Sequence, residues 1–267
     1  MSEFALCALC PRLCRPACPV VTGSHRTAAV PAMLAAALLE WERGNVSPEV
    51  AAQAATLCTD CGACEEWCHL HRPLPRLLRE ARAQLLPDPL VEALRPMEGE
   101  GDIVVVESDG RPMAEALSRR LGKPVRRWFT ADKLGVAAVE HVDWALKAAA
   151  IRATLADAEM VVVADGGVAR ALEAAEVPFK WLHEVVPDLA EGLGSCATGG
   201  GDLPLACCGA GGPLHQHHPD EARRVGKAWL ERASTHKVLD ARCRNHLLAC
   251  GGIEVTDPLD ALLEEAG

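Results

Sequence analysis

Eight cysteines fall in two short runs: Cys7, Cys10, Cys14 and Cys18, then Cys58, Cys61, Cys64 and Cys68. The second run reads C-x2-C-x2-C-x3-C, and the first has one extra residue between its second and third thiols. One tight loop with two or three residues between thiolates can reach three corners of a metal cube, and the fourth ligand must come from elsewhere. This is the spacing of 4Fe-4S ligation. Two rival chemistries also gather cysteines. Structural zinc takes four Cys or His, usually as two pairs, and suits two groups of four less well. Disulfides suit small secreted chains with an even count, whereas this chain has 267 residues and 13 cysteines.

In two-cluster ferredoxins the distal cysteine of each run ligates the other run's cluster. That pattern groups Cys7, Cys10, Cys14 and Cys68 around one cube, and Cys58, Cys61, Cys64 and Cys18 around a second. Pro19 follows Cys18 as the pattern expects, while His69 stands after Cys68. The elements that must position these loops read as helices. Pro31 opens a helix over 32–43 that Gly44 closes, and Ser47-Pro48 caps another over 48–57. Beyond the second run, Leu74, Leu77, Leu78, Ala81 and Leu85 recur at helical spacing. Arg72, Arg76, Arg79 and Arg82 beside them read as a solvated face, with docking of an acidic partner or compensation of cluster charge as the sharper alternative. A helical insert between two cluster loops resembles the α-helical ferredoxin of heterodisulfide reductase C subunits and fumarate reductase iron-sulfur subunits. The expected organisation is a two-cluster ferredoxin over 1–86, a Pro- and Gly-containing linker over 87–101, and a further domain over 102–267.

That further domain has the alternation of an α/β fold. Strands are expected at 102–107, 124–129 and 160–164, with helices over 113–121, in the region up to 155, and from Asp165-Gly166-Gly167 to 174. The G-x-G-x-x-G spacing of a dinucleotide site is absent. A second, related pass follows. It comprises a helix over 180–193 that Pro187 can break, a run over 203–206 into Cys207-Cys208-Gly209-Ala210-Gly211-Gly212, and a helix over 219–233. A strand at 237–241, a helix opened by Cys243, a strand at 253–255 and a helix over 259–265 complete it. Superposing the passes sets Gly167 against Cys243 and Arg170 against His246.

Cys207-Cys208-Gly209 followed by Cys243-x2-His246 resembles the CCG domain of heterodisulfide reductase B subunits, shared by iron-sulfur subunits of glycolate oxidase and anaerobic glycerol-3-phosphate dehydrogenase. The resemblance implies two CCG-like repeats, the first lacking its cysteines. It also implies a third iron-sulfur cluster or metal at Cys207, Cys208 and Cys243, with His246 where the last cysteine of the motif belongs. Cys207, Cys208 and Cys243 are then the candidate catalytic residues. Cys196 is a weaker match, and Cys250 has no counterpart. The plainer reading is buried thiols left over in a core, with His215, His217 and His218 in a solvated loop.

The formal charge of -10 argues against nucleic acid as the main partner. The most apolar run, 28–41, is too short to span a bilayer and contains Pro31. With a first cysteine at position 7, no targeting segment is expected. A cytoplasmic location follows, with peripheral membrane association only through a partner. The expected function is electron transfer by two 4Fe-4S clusters to or from a flavin-bearing dehydrogenase subunit, the chain itself being a non-catalytic subunit. Its alternatives are a disulfide or heterodisulfide reductase using the C-terminal site, and an iron-sulfur redox sensor.

Overall fold

The structure is a computed structural model that describes residues 2–86, 96–130, 144–193, 207–233, 236–239 and 241–266, without the side chains at 144–147 and 266. The N-terminal region is helical: α1 Ala5–Ala8, α2 Pro19–Ser24, α3 Pro31–Glu42, α4 Pro48–Ala55, α5 Ala63–Glu66 and α6 Leu74–Leu85. Proline stands in the first turn of α2, α3, α4 and α6, where its missing N–H costs no intrahelical bond. Helix α3 buries Leu34, Ala35, Leu38 and Leu39, and α6 buries Leu74, Leu77, Leu78 and Ala81 in the same apolar core.

An α/β region follows, with β1 Ile103–Glu107, α7 Met113–Leu121, β2 Val125–Phe129, α8 Trp144–Thr154, β3 Met160–Val163, α9 Gly166–Ala174, β4 Lys180–Trp181 and α10 Leu182–Val185. The strands form one four-stranded parallel sheet in the order β2-β1-β3-β4. All five residues of β1 are buried, as expected of a central strand covered on both faces. Val104 and Val106 pack with Trp128, Ile151 and Leu172 on one face, and Ile103 and Val105 with Met113, Leu117 and Leu262 on the other. Buried Glu107 ends β1, accepting from the Ala114 backbone N–H at 2.9 Å and from Arg127 Nε at 2.5 Å. Upstream of β1, Glu98 pairs antiparallel with Arg127 on the outer edge of β2. Residues 87–95 of the expected linker lie outside the described residues.

The remaining helices are α11 Leu214–His217, α12 Pro219–Leu230, α13 Ala241–Ala249 and α14 Pro258–Ala266. They diverge in destination. Helix α14 returns to the sheet, where Leu259 and Leu262 join the core under β1 and Arg111 clamps Asp257 and Asp260 at 2.5–3.0 Å. Helices α11 and α12 instead join the N-terminal core through Leu214, Ala222 and Val225. Gly23 of α2 makes this possible, because a Cβ there would stand 2.8 Å from the Val225 Cα.

The second pass departs from its sequence reading. The helix expected over 180–193 is divided into β4, α10 and a 3-10 turn at Pro187–Ala190, since Pro187 cannot continue the helix. The strands expected at 237–241 and 253–255 reduce, among the described residues, to one bridge between Lys237 and Thr256. Ile253 is 77% exposed and Glu254 has φ +59°, neither compatible with a buried strand. The run expected over 203–206 and Cys196 lie outside the described residues.

Candidate metal centre

The two cysteine runs line two neighbouring cavities in the helical region. Cys7, Cys10, Cys14 and Cys68 line the first, a space of ≈ 150 Å³ walled by Leu6, Pro31, Ala32, Leu70 and Leu74, with Arg72 at its edge. Cys18, Cys58, Cys61 and Cys64 line the second, with Val20, Leu34, Leu57, Leu74 and Leu78. The distal cysteine of each run therefore lies in the other run's cavity, and Cys64 borders both. Local structure explains the exchange. After Cys14 a 3-10 turn at Arg15–Ala17 carries the chain to Cys18 at the start of α2, while α5 carries it from Cys64 to Cys68. The second cavity thus offers four thiols on apolar walls, and the first four besides the shared Cys64, the donor set of a 4Fe-4S cube.

None of the eight cysteines is in a disulfide. Burial pushes the Cys18, Cys58 and Cys61 thiols up to about 12 and raises Cys64 as well. It also raises Cys7, where Arg72 opposes the effect, and Cys14. Thiols so desolvated remain protonated at neutral pH until a metal's positive charge displaces the protons. Among the described residues no three His, Cys, Asp or Glu side chains converge closely enough for a single metal ion.

The loop between Cys58 and Cys61 contains residues that the cysteine pattern did not single out. Asp60 is buried with φ +61°, a left-handed conformation that aspartate tolerates. Its backbone N–H donates to Cys58 Sγ at 3.2 Å. Its carboxylate takes Arg79 at 2.8 Å, Arg82 at 3.6 Å and Arg170 of α9 at 3.5 Å. The solvated arginine face is thereby corrected. Arg82 is fully buried and also donates to the Ala55 carbonyl at 3.0 Å; Arg79 and Arg72 are half-buried, and Arg76 alone of the four is fully at the surface, paired with Glu80. A sequence signal for Arg82 existed. It follows Leu78 by four residues and precedes Leu85 by three, so it falls on the apolar stripe of α6.

The C-terminal cysteine motif lies over this same loop. Gly211 is wedged between Cys207 Sγ and the Thr59 carbonyl, where a Cβ would stand 3.5 Å and 2.7 Å from them. Cys207 contributes to the raised Cys61 thiol, second to burial. Cys208 and Cys243 are buried together with Trp229, Val238, Leu247 and Val255. His246, on the same helix as Cys243, lies against Gly209, where a Cβ would stand 3.3 Å from its Nε2; that nitrogen is 3.2 Å from the Ala222 carbonyl and 3.6 Å from Cys250 Sγ, with the His215 ring edge-on at 6.3 Å. His215 and His217 are exposed, whereas half-buried His218 bonds Thr56 Oγ1 at 2.9 Å.

No helix among the described residues is long and apolar enough to cross a membrane. Residues 3–71, which contain both cysteine runs, match the family model of a 4Fe-4S dicluster domain. No curated protein and no solved structure matches the chain. The chain is an iron-sulfur protein whose N-terminal helical region has a ferredoxin-like electron-transfer role, followed by an α/β region built on a parallel sheet.

Proposed function

We propose that this 4Fe-4S protein is a relay between a flavin-bearing dehydrogenase subunit and a second acceptor. Cys7, Cys10, Cys14 and Cys68 hold one cube and Cys58, Cys61, Cys64 and Cys18 the other, with residues 102–267 forming a CCG-like domain of two repeats. The observation that carries the reading is the exchange of Cys18 and Cys68 between the cavities. When bound, the cubes supply reversible one-electron transfer at potentials set by hydrogen bonds to sulfur and by exposure. The chain's own contribution is to exclude water with Leu34, Leu57, Leu74 and Leu78, to place the Asp60 N–H on Cys58 Sγ, and to hold the two cavities against each other through shared Cys64. A flavin-bearing partner that carries the substrate chemistry is proposed from the resemblance to iron-sulfur subunits of glycolate oxidase and anaerobic glycerol-3-phosphate dehydrogenase. The repeat reading is supported by α9 and α13 starting side by side, with the Ala241 N–H on the Ala164 carbonyl at 3.0 Å.

Iron and acid-labile sulfide analysis, with EPR after reduction, tests the ligand sets. About eight irons per chain are expected. Cys18→Ser should abolish the same cube signal as Cys61→Ser, and Cys68→Ser the same one as Cys10→Ser. Zinc in place of iron, or loss of the same signal in Cys18→Ser and Cys10→Ser, overturns the assignment. The position of Cys207 against the second cysteine loop favours a second reading, in which Cys207, Cys208 and Cys243 reduce a disulfide substrate. About twelve irons in the wild type falling to about eight in Cys207→Ser/Cys208→Ser, with loss of disulfide turnover, would put that reading first.

A further inference from the structure

Asp60 stands between two cysteines of one ligand set, fully buried, with its Oδ1 accepting no hydrogen bond. A buried carboxylate is costly unless compensated. Here the compensation is three guanidinium groups drawn from two regions, Arg79 and Arg82 from α6 and Arg170 from α9 of the α/β region. Holding the carboxylate also holds the backbone, and it is this left-handed backbone that aims the Asp60 N–H at Cys58 Sγ. Two levers on a cube's potential, a hydrogen bond to a ligand sulfur and a nearby charge, thus meet in one residue. Arg170 reaches that residue from across the molecule, through a helix seated on the sheet.

We propose that Asp60 is a positioning residue for the second cube and that Arg170 sets that cube's reduction potential through it, making the α/β region part of the redox centre rather than an appended fold. The inference rests on the reading of Cys58, Cys61, Cys64 and Cys18 as one ligand set. An added electron is stabilised by positive charge and opposed by negative charge. Removing the Arg170 charge, and loosening the Asp60 N–H from Cys58 Sγ, therefore favours the oxidised cube. Removing the Asp60 charge as Asn favours the reduced one, because Asn tolerates the left-handed backbone and can still accept from Arg79, which keeps the N–H on Cys58 Sγ.

The test is an EPR-monitored dithionite titration of the full chain as wild type, Arg170→Gln, Arg170→Lys and Asp60→Asn, each first shown to keep wild-type iron and sulfide content. In Arg170→Gln the reduced-to-oxidised ratio of the second cube at fixed ambient potential should fall about tenfold, about 59 mV for one electron. Arg170→Lys should recover most of that, Asp60→Asn should shift the ratio the other way, and the first cube should be unmoved. Equal potentials in wild type and Arg170→Gln, or shifts of the same sign in Arg170→Gln and Asp60→Asn, overturn the inference while leaving the relay intact. If Asp60→Asn fails to hold iron, the Arg170 variants decide alone. A wild type without cubane signals would overturn both the inference and the reading beneath it.

Discussion

The two cysteine cavities carry the same donors on similar apolar walls, yet they differ in what lies over them. The first is lined in part by exposed apolar side chains, with Leu70 70% and Leu6 50% exposed. The loop of the second lies beneath Gly211 and Gly212 of the C-terminal motif and is tied to buried Arg82 and to α9. Nearly the same local spacing has produced one cysteine loop at the surface and one packed against chain from more than a hundred residues away. Access and electrostatics are therefore properties of the cover.

The contrast can be broken from the covered side. Arg82→Met leaves the Asp60 carboxylate buried with weaker compensation, and removing one partner of a buried pair costs about 3–5 kcal/mol. Chemical denaturation of the full chain should register that loss. Chelator attack on iron should quicken at the second cavity and leave the first at its wild-type rate. Equal acceleration at both would mean that Arg82 supports the helical core generally.

Gly212→Val attacks the cover itself. With φ +59° and a Cβ that would meet the Thr59 carbonyl carbon at 2.8 Å, any side chain here strains its own backbone and pushes on the loop. A loss of about 1–3 kcal/mol and selective exposure of the second cavity to oxygen are expected, measured by stopped-flow bleaching beside Gly44→Val. Gly44 also has positive φ, but nothing lies within 4 Å of its added Cβ.

The smallest effect concerns pH. His218, bonded to Thr56 where α12 meets the N-terminal helices, has a proton affinity depressed by burial and then by the Arg26 charge. Its folded value is below the unfolded one of about 6.5, so the unfolded chain binds the proton more readily. Stability from this contact is present above about pH 6.5 and is lost as pH falls through the folded value. Denaturant midpoints measured from pH 7.5 to 5 should show that slope in the wild type and a weaker one in His218→Gln. An unchanged slope would exclude His218 as its source.

Much of this was legible because it is local. The cysteine spacings, the prolines at helix starts and the apolar run of β1 depend on neighbours within a few residues, and the structure has helices and a central strand where those signals fall. The arginines of α6 were misread because periodicity records which residues share a helix face but not that a carboxylate 19 residues or more away is buried beneath it. The second pass was misread because the apolar character of 253–255 gave no account of Glu254 at positive φ.

The chemistry available is written in short-range pattern: two sets of cubane-spaced thiols, a helical frame and a parallel sheet. The folded chain alone brings Arg170 to Asp60 and seats the C-terminal glycines over one cysteine loop and not the other. Those are contacts between segments far apart in the chain. They form only when burying the apolar faces of α2, α6, α9 and α12 has fixed where each segment lies, and no local spacing carries that information.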